Sequence, residues 1–372
     1  MKQKIKFTNK DKTQFFNTLK ERVDNYFFEN NISQHANFSM VTKTIFMLSL
    51  YFVPYLLIMT QGFPLLIMWI LTLIMGVGLA GIGMAVMHDA NHGAYSKSSF
   101  VNKLFSISLS LVGGDNQNWK TQHNVLHHTY TNIYGHDKDI DDKGIMRLTP
   151  ASQHKKVHKF QVVYVFFFYS IMSLYWTTAK DFIQFYQFIK NGQNKQSTFD
   201  RIKSLSVIIV WKLFYWGYML VLPAMLLNIT VLQVIIGFVS LHLVAGLILS
   251  IVFQLAHVVE DTEFPMPDAN GAIENEWAIH QLNTTADFAK NNKLITFFVG
   301  GLNFQAIHHL FPQICHVHYP TIAPIVEQTA KEFGVKYLYN ESFWSAFASH
   351  IRLLSRLGKD EVSFGAIANK MG

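Results

Sequence analysis

One cysteine, Cys315, stands in 372 residues, so no intrachain disulfide can form and a thiolate metal or iron–sulfur cluster is excluded. A buried small side chain is the expectation for it. Charge is scarce too. Asp, Glu, Lys and Arg make up 15% of the chain, against roughly 25% in a soluble protein. Lysine and arginine are missing altogether from 44–96 and from 213–289. The formal charge of +7 comes with no nucleic-acid-binding motif. A basic face meeting anionic headgroups accounts for that charge, and no nucleic acid partner is expected. The basic stretch Met1–Lys12 is not followed by an apolar core and a small-residue cleavage site at signal-peptide distance, so no cleaved signal is expected. Low-complexity tracts and repeats are also missing.

What is plentiful is apolar surface, at 50% of residues, with 32 Phe and 15 Tyr. Such a composition marks a polytopic membrane protein. Apolar runs at about 42–60 and 63–86 are split by Gln61-Gly62. At about 1.5 Å per residue each can cross an apolar layer of about 30 Å, and together they form a helical hairpin. A second hairpin covers about 205–227 and 230–254, linked near Asn228. Lys212, near one end of its first helix, is expected to snorkel to headgroups. The stretch at 100–112 is too short to span. The run at about 160–178, interrupted by Gln161 and Ser170, reads as interfacial. Phe15, Phe16, Leu19, Val23, Tyr26 and Phe27 recur at helical spacing, as in an amphipathic helix lying in the membrane interface. Phe343, Phe347, Ile351 and Leu354 suggest another at the C-terminal end.

The expected fold is therefore an all-α integral membrane protein of two transmembrane hairpins (four spanning helices) with interfacial helices. Residues 1–40 form an N-terminal cytoplasmic or interfacial segment, 41–320 the membrane domain and 321–372 a cytoplasmic C-terminal segment. Both hairpin tips are free of positive charge, so the positive-inside rule puts the N-terminus, 97–204 and the C-terminal third in the cytoplasm.

Three histidine clusters fall on that predicted side: His88-Asp89-Ala90-Asn91-His92, His123-Asn124-Val125-Leu126-His127-His128, and Gln305-Ala306-Ile307-His308-His309. Helical positions four apart share a face, with Cβ atoms about 5–6 Å apart. Imidazole is a ligand for Fe, Cu and Zn, and seven clustered histidines exceed what one ion needs. A site for two metal ions follows. Asp89 and Asn91 lie between the paired histidines and are candidates to orient them. His136 with Asp137, Asp139, Asp141 and Asp142 forms an acidic stretch that either bonds ring N–H groups or lies in solvent. A metal transporter or zinc membrane hydrolase is the competing class. Transport favours ionisable residues near the bilayer midplane, and the hairpins have almost none there.

These boxes resemble those of the integral-membrane fatty acid desaturases, whose pattern is two histidines four apart, then a similar pair extended by one histidine, then a box ending in two. The likeness covers roughly residues 40–320. Gln305 begins the third box after Gly300-Gly301-Leu302-Asn303-Phe304, a form similar to the front-end subgroup, which inserts a double bond between an existing one and the carboxyl end. The resemblance implies a cytoplasmic di-iron cap holding two iron ions through His88, His92, His123, His127, His128, His308 and His309, with O2 as co-substrate. It adds His257, closing the last spanning helix, as a further ligand, whereas His242 is about 22 Å earlier on that helix and reads as structural. Gln305 is a possible metal neighbour. Trp277 and Gln281 match a family segment better than His280 between them, leaving His280 a possible ligand only. The implied substrate is a fatty acyl chain carried by CoA, phospholipid or a carrier protein. Electrons would come from a separate donor such as ferredoxin or cytochrome b5, because nothing in 1–40 resembles a fused haem segment. An acyl-chain hydroxylase on the same scaffold is the nearest alternative chemistry. The expected address is the plasma (inner) membrane of a bacterium.

Overall fold

The computed structural model describes residues 5–9, 12–141 and 144–362. In chain order the principal helices are α1 (Phe15–Glu29), α2 (Phe38–Met59), α3 (Leu65–His92), α4 (Ser99–Leu111), α5 (Asn116–Lys120), α6 (Lys156–Lys190), α7 (Thr198–Leu226), α8 (Val231–His257), α9 (Trp277–Thr284), α10 (Gln305–Leu310), α11 (Tyr319–Glu332) and α12 (Phe343–Gly358). Among the described residues, four short strands interrupt the all-helical expectation: β1 (Lys6–Phe7) pairs in parallel with β2 (Ala272–Ile273), and β3 (Ala286–Phe288) with β4 (Leu338–Asn340). Among the described residues five helices (α2, α3, α6, α7 and α8) are long and apolar enough to cross a membrane. The sequence reading expects four. The addition is α6, where Gln161 and Ser170 do not break the helix; Gln161 Nε2 donates to the Arg147 and Leu354 carbonyls.

The chain divides into two compact units, each assembled from separated stretches. The first contains Asn37–Lys120 and Phe167–Ile251. Its helices approach closely where side chains are small. A Cβ on Gly78 would stand 2.7 Å from the backbone of Leu50 and Tyr51, and one on Gly76 would stand 2.6 Å from the Leu241 carbonyl. Small residues let helix backbones meet where lipid offers no hydrophobic drive to pack. Lys212 does not snorkel. It is 2% exposed, and its Nζ pairs with Asp181 Oδ2 at 2.6 Å and donates to the Gly113 and Trp176 carbonyls at 2.6 and 2.7 Å. Three oxygens therefore hold the ammonium inside the protein. His242 is likewise satisfied: Ser173 Oγ lies 2.8 Å from Nδ1 and Tyr215 Oη 2.7 Å from Nε2.

The second unit contains the described residues of Gln3–Ala36, Thr121–Phe166 and Val252–Gly372. Helix α1 forms where its apolar spacing predicts, but the stripe is not offered to lipid headgroups. Phe15, Leu19, Val23 and Phe27 are buried with Ala278 and Leu282 of α9, Ile307 and Leu310 of α10, and Ile322 and Val326 of α11. Protein supplies the apolar partner that the sequence reading assigns to the membrane. Cys315 is buried, as expected, and forms no disulfide.

Candidate metal centre

In the first unit α3 ends in the first histidine box. A π-helical turn, Ile82–Val86, precedes it. Gly93, at φ +76°, stops the helix while its N–H and that of Ala94 bond back to the Ala90 and Asp89 carbonyls. That left-handed position suits glycine because it has no Cβ. The rings of His88 and His92 lie 4.8 Å apart, and Trp119 of α5 stands edge-on to both at 5.6 and 5.7 Å. Asp89 Oδ1 is 3.9 Å from His88 Nδ1. The Asn91 amide donates to Asn116 at 3.1 Å.

In the second unit the second box lies on a π-helix, Thr121–His127, followed by His128–Tyr130. The i→i+5 repeat of that helix brings residues five apart together, and His123 Nε2 and His128 Nε2 stand 3.2 Å apart. His123 stacks at 5.8 Å on His308, and His128 at 4.4 Å on His309. His127, His257 and His309 form a tighter group, fully buried, each with a ring nitrogen within 4.8 Å of the others. Their opposite nitrogens are held. His127 Nδ1 donates to Asp137 at 3.0 Å, His309 Nδ1 to Gln281 Oε1 at 2.7 Å, and His257 Nδ1 to the Thr284 carbonyl at 3.4 Å. Thr131 Oγ1 lies in the same network, 2.8 Å from Gln281 Oε1 and 2.7 Å from the His127 carbonyl. His308 Nδ1 stands 3.1 Å from Tyr319 Oη.

A ring that donates through Nδ1 presents a bare lone pair at Nε2. For His127 and His309 that Nε2 is buried with no hydrogen-bond partner among the described residues. Gln305 Nε2 donates to His257 Nε2 at 3.3 Å, leaving Gln305 Oε1 buried without a partner. Burial pulls the His127 imidazole down, but the Asp137 and Asp139 carboxylates beside it more than offset that and leave it above its ordinary value. Burial and the crowd of other imidazoles hold His309 well below its ordinary value. Imidazole nitrogens turned inward and fixed from behind by carboxylate and carbonyl groups fit a transition-metal ion. The arrangement is compatible with a metal centre.

Among the remaining sequence candidates, His280 joins none of these groups. Its ring lies 5.0 Å from that of Phe7, and burial pushes it down to about 4. The neighbouring Gln281 is the residue that reaches the site. Its amide pattern-matches nothing by itself, and histidine draws the eye in that segment. Asp137 is fully buried against His127, which decides between the two readings of the acidic stretch. Asp141 instead accepts from Gly135 N–H at 2.6 Å and pairs with Lys138, while Asp142 lies outside the described residues. His318 bonds the His35 carbonyl and His350 the Val258 carbonyl.

Comparison with known proteins adds two findings. A family model described as fatty acid desaturase matches residues 64–340. The chain is 37% identical over 361 residues to the sn-1 linoleoyl-lipid 6-desaturase of Synechocystis sp., spanning 96% of this chain and 98% of that one. It is 37% identical over 344 residues to the protein of the same name from Arthrospira platensis, spanning 92% of each. It is also 33% identical over 359 residues to an acyl-lipid (8-3)-desaturase of Physcomitrium patens, spanning 96% of this chain and 74% of the relative.

Proposed function

Because the chain belongs to the fatty acid desaturase family, we propose that it is a front-end acyl-lipid desaturase placing a cis double bond between an existing one and the carboxyl end of the chain. It is an oxidoreductase and an integral membrane protein. The names of these three relatives support a lipid-linked acyl substrate over a CoA ester, and the two linoleoyl-lipid names a first double bond already present. Gln305 at the head of the third box supports the same subgroup.

The observation carrying the chemistry is the convergence of His127, His257 and His309, each tied back through Nδ1. Two iron ions are assigned to His88, His92, His123, His127, His128, His257, His308 and His309, with Gln305 beside His257. Bound iron would supply, with O2 as co-substrate and two electrons, the oxidation that takes two hydrogens from adjacent carbons and leaves water. The protein's own share is positional. Asp137, Gln281 and the Thr284 carbonyl keep the Nδ1 protons in place, so the opposite nitrogens face inward. Burial keeps bulk water from the same space.

Four crossings of the bilayer suit this arrangement. The grouping of the described residues of 5–36, 121–166 and 252–362 in one unit supports an even number of crossings between 37 and 120 and again between 167 and 251. Helices α2 and α3 make the first pair and α7 and α8 the second. Helix α6, the least hydropathic of the five, lies in the interface. The missing lysines and arginines at the hairpin tips support cytoplasmic termini and histidines, in a bacterial plasma membrane. A separate carrier, ferredoxin or cytochrome b5, brings the electrons. Exposed Lys155, Lys156, Lys159, Lys331 and Lys359 of the second unit favour an acidic partner. Expression in a host supplied with linoleoyl lipids should yield a product lighter by two hydrogens, with the new bond on the carboxyl side by mass spectrometry. A new bond on the methyl side would refute the front-end assignment.

A further inference from the structure

Helix α10, which carries Gln305, His308 and His309, has only six residues. A helix this short has almost no ladder of its own, and its first N–H groups need acceptors from elsewhere. The residue before it cannot help. Phe304 occupies the cap position with no side-chain acceptor, where serine, threonine, asparagine or aspartate would ordinarily serve. The acceptor comes from a different element. Asp287, in the middle of β3 and fully buried, takes the Ala306 N–H on Oδ1 at 2.8 Å.

That carboxylate is itself fixed. β3 pairs with β4 with Asp287 opposite Tyr339, and the Tyr337 hydroxyl donates to Oδ2. Phe288 N–H bonds the Asn303 carbonyl at 2.9 Å, and the Asn303 amide donates to Thr296 Oγ1 at 3.0 Å, which closes the loop between β3 and α10. Lys290 lies over the Tyr337 and Tyr339 rings at 4.9 and 4.1 Å and pairs with Glu327 of α11 at 2.6 Å. The start of α10 is therefore referenced to a rigid ladder and not to its own sequence.

We propose that Asp287 is a positioning residue for the third histidine box: it caps α10 from β3 and so fixes the direction in which His308 and His309 present their rings. It touches neither ring. The Gln281 and Tyr319 contacts orient the imidazoles, and Asp287 orients the backbone that carries them. This rests on the reading of His308 and His309 as metal ligands.

The test uses the full-length protein in detergent, loaded with Fe2+ or Co2+ alone, reading metal per chain and the visible absorption of the cobalt form. Asp287→Asn keeps an oxygen for the Ala306 N–H and should hold metal as the unaltered protein does, with the same cobalt spectrum. Asp287→Ala should bind about tenfold or more weakly, as when a residue supporting a ligand is lost, and should shift the cobalt bands. If Asp287→Ala does not accumulate, Tyr337→Phe, which frees one oxygen of the carboxylate, should still alter the cobalt spectrum. Unchanged metal binding and spectrum in Asp287→Ala, equal damage in Asp287→Asn and Asp287→Ala, or an unaltered spectrum in Tyr337→Phe would each overturn the proposal. Unaltered protein that takes up neither metal would instead refute the ligand reading itself.

Discussion

Two buried polar clusters in this protein are built on opposite rules. In the first unit, Lys212 and His242 have their bonding capacity taken up: the ammonium by a carboxylate and two carbonyls, the imidazole by a serine on one side and a tyrosine on the other. In the second unit, His127 and His309 are bonded on one nitrogen only, and the other faces a space shared with like nitrogens. Burying an unsatisfied polar atom costs about 1–3 kcal/mol. His127 and His309 differ from His242 in that one unspent nitrogen, turned toward others like it, and burial does not distinguish the three.

The comparison breaks most severely at His127. His127→Ala should abolish the desaturated product and lower bound metal while the protein stays in the membrane. Full activity in that variant would show the nitrogen to be dispensable. Lys212→Met should act on stability instead. It strands Asp181 in the interior, with an expected loss of about 3–5 kcal/mol, visible as a lower melting temperature in detergent. Lys212→Met combined with Asp181→Leu should recover most of that loss, and neither variant should change metal per folded chain. Gln281→Ala removes the acceptor behind His309 and should weaken metal binding by about 10–100-fold with little change in melting. Smallest is His242→Phe, which leaves Ser173 and Tyr215 short of one bond each and should cost about 1–3 kcal/mol. Loss of metal from His242→Phe would erase the distinction between the clusters.

Much of this was legible in the chain because lipid imposes simple rules. The hairpins read from apolar runs appear as α2 with α3 and α7 with α8. Helix α3 runs past its apolar stretch because the first histidine box is itself helical, and α8 runs on to His257; polarity hides both continuations. Lys212 differs from its sequence expectation because snorkelling is a property of a lone helix, and the oxygens that hold it come from Gly113, Trp176 and Asp181. The stripe on α1 was correctly periodic, but periodicity says that a face is covered and not by what. The second box shows a subtler limit. On an ideal α-helix His123 and His128 would point about 140° apart, yet the π-helix brings their nitrogens to 3.2 Å. Gln281 and Asp287 act through contacts with residues 28 and 19 positions away, and no local pattern encodes those.

The second unit draws on the beginning, middle and end of the chain, and that sets an order of events during synthesis. A nascent polypeptide that has delivered all five long helices still lacks His308 and His309. The buried stripe of α1 waits for Ile322, Val326 and Ala330 to emerge. About 300 residues separate them, which at about 5–20 residues per second is roughly 15–60 s on the ribosome. Through that interval the N-terminal helix needs shelter, and any ion retained by the complete histidine set can be acquired only once His308 and His309 have been made.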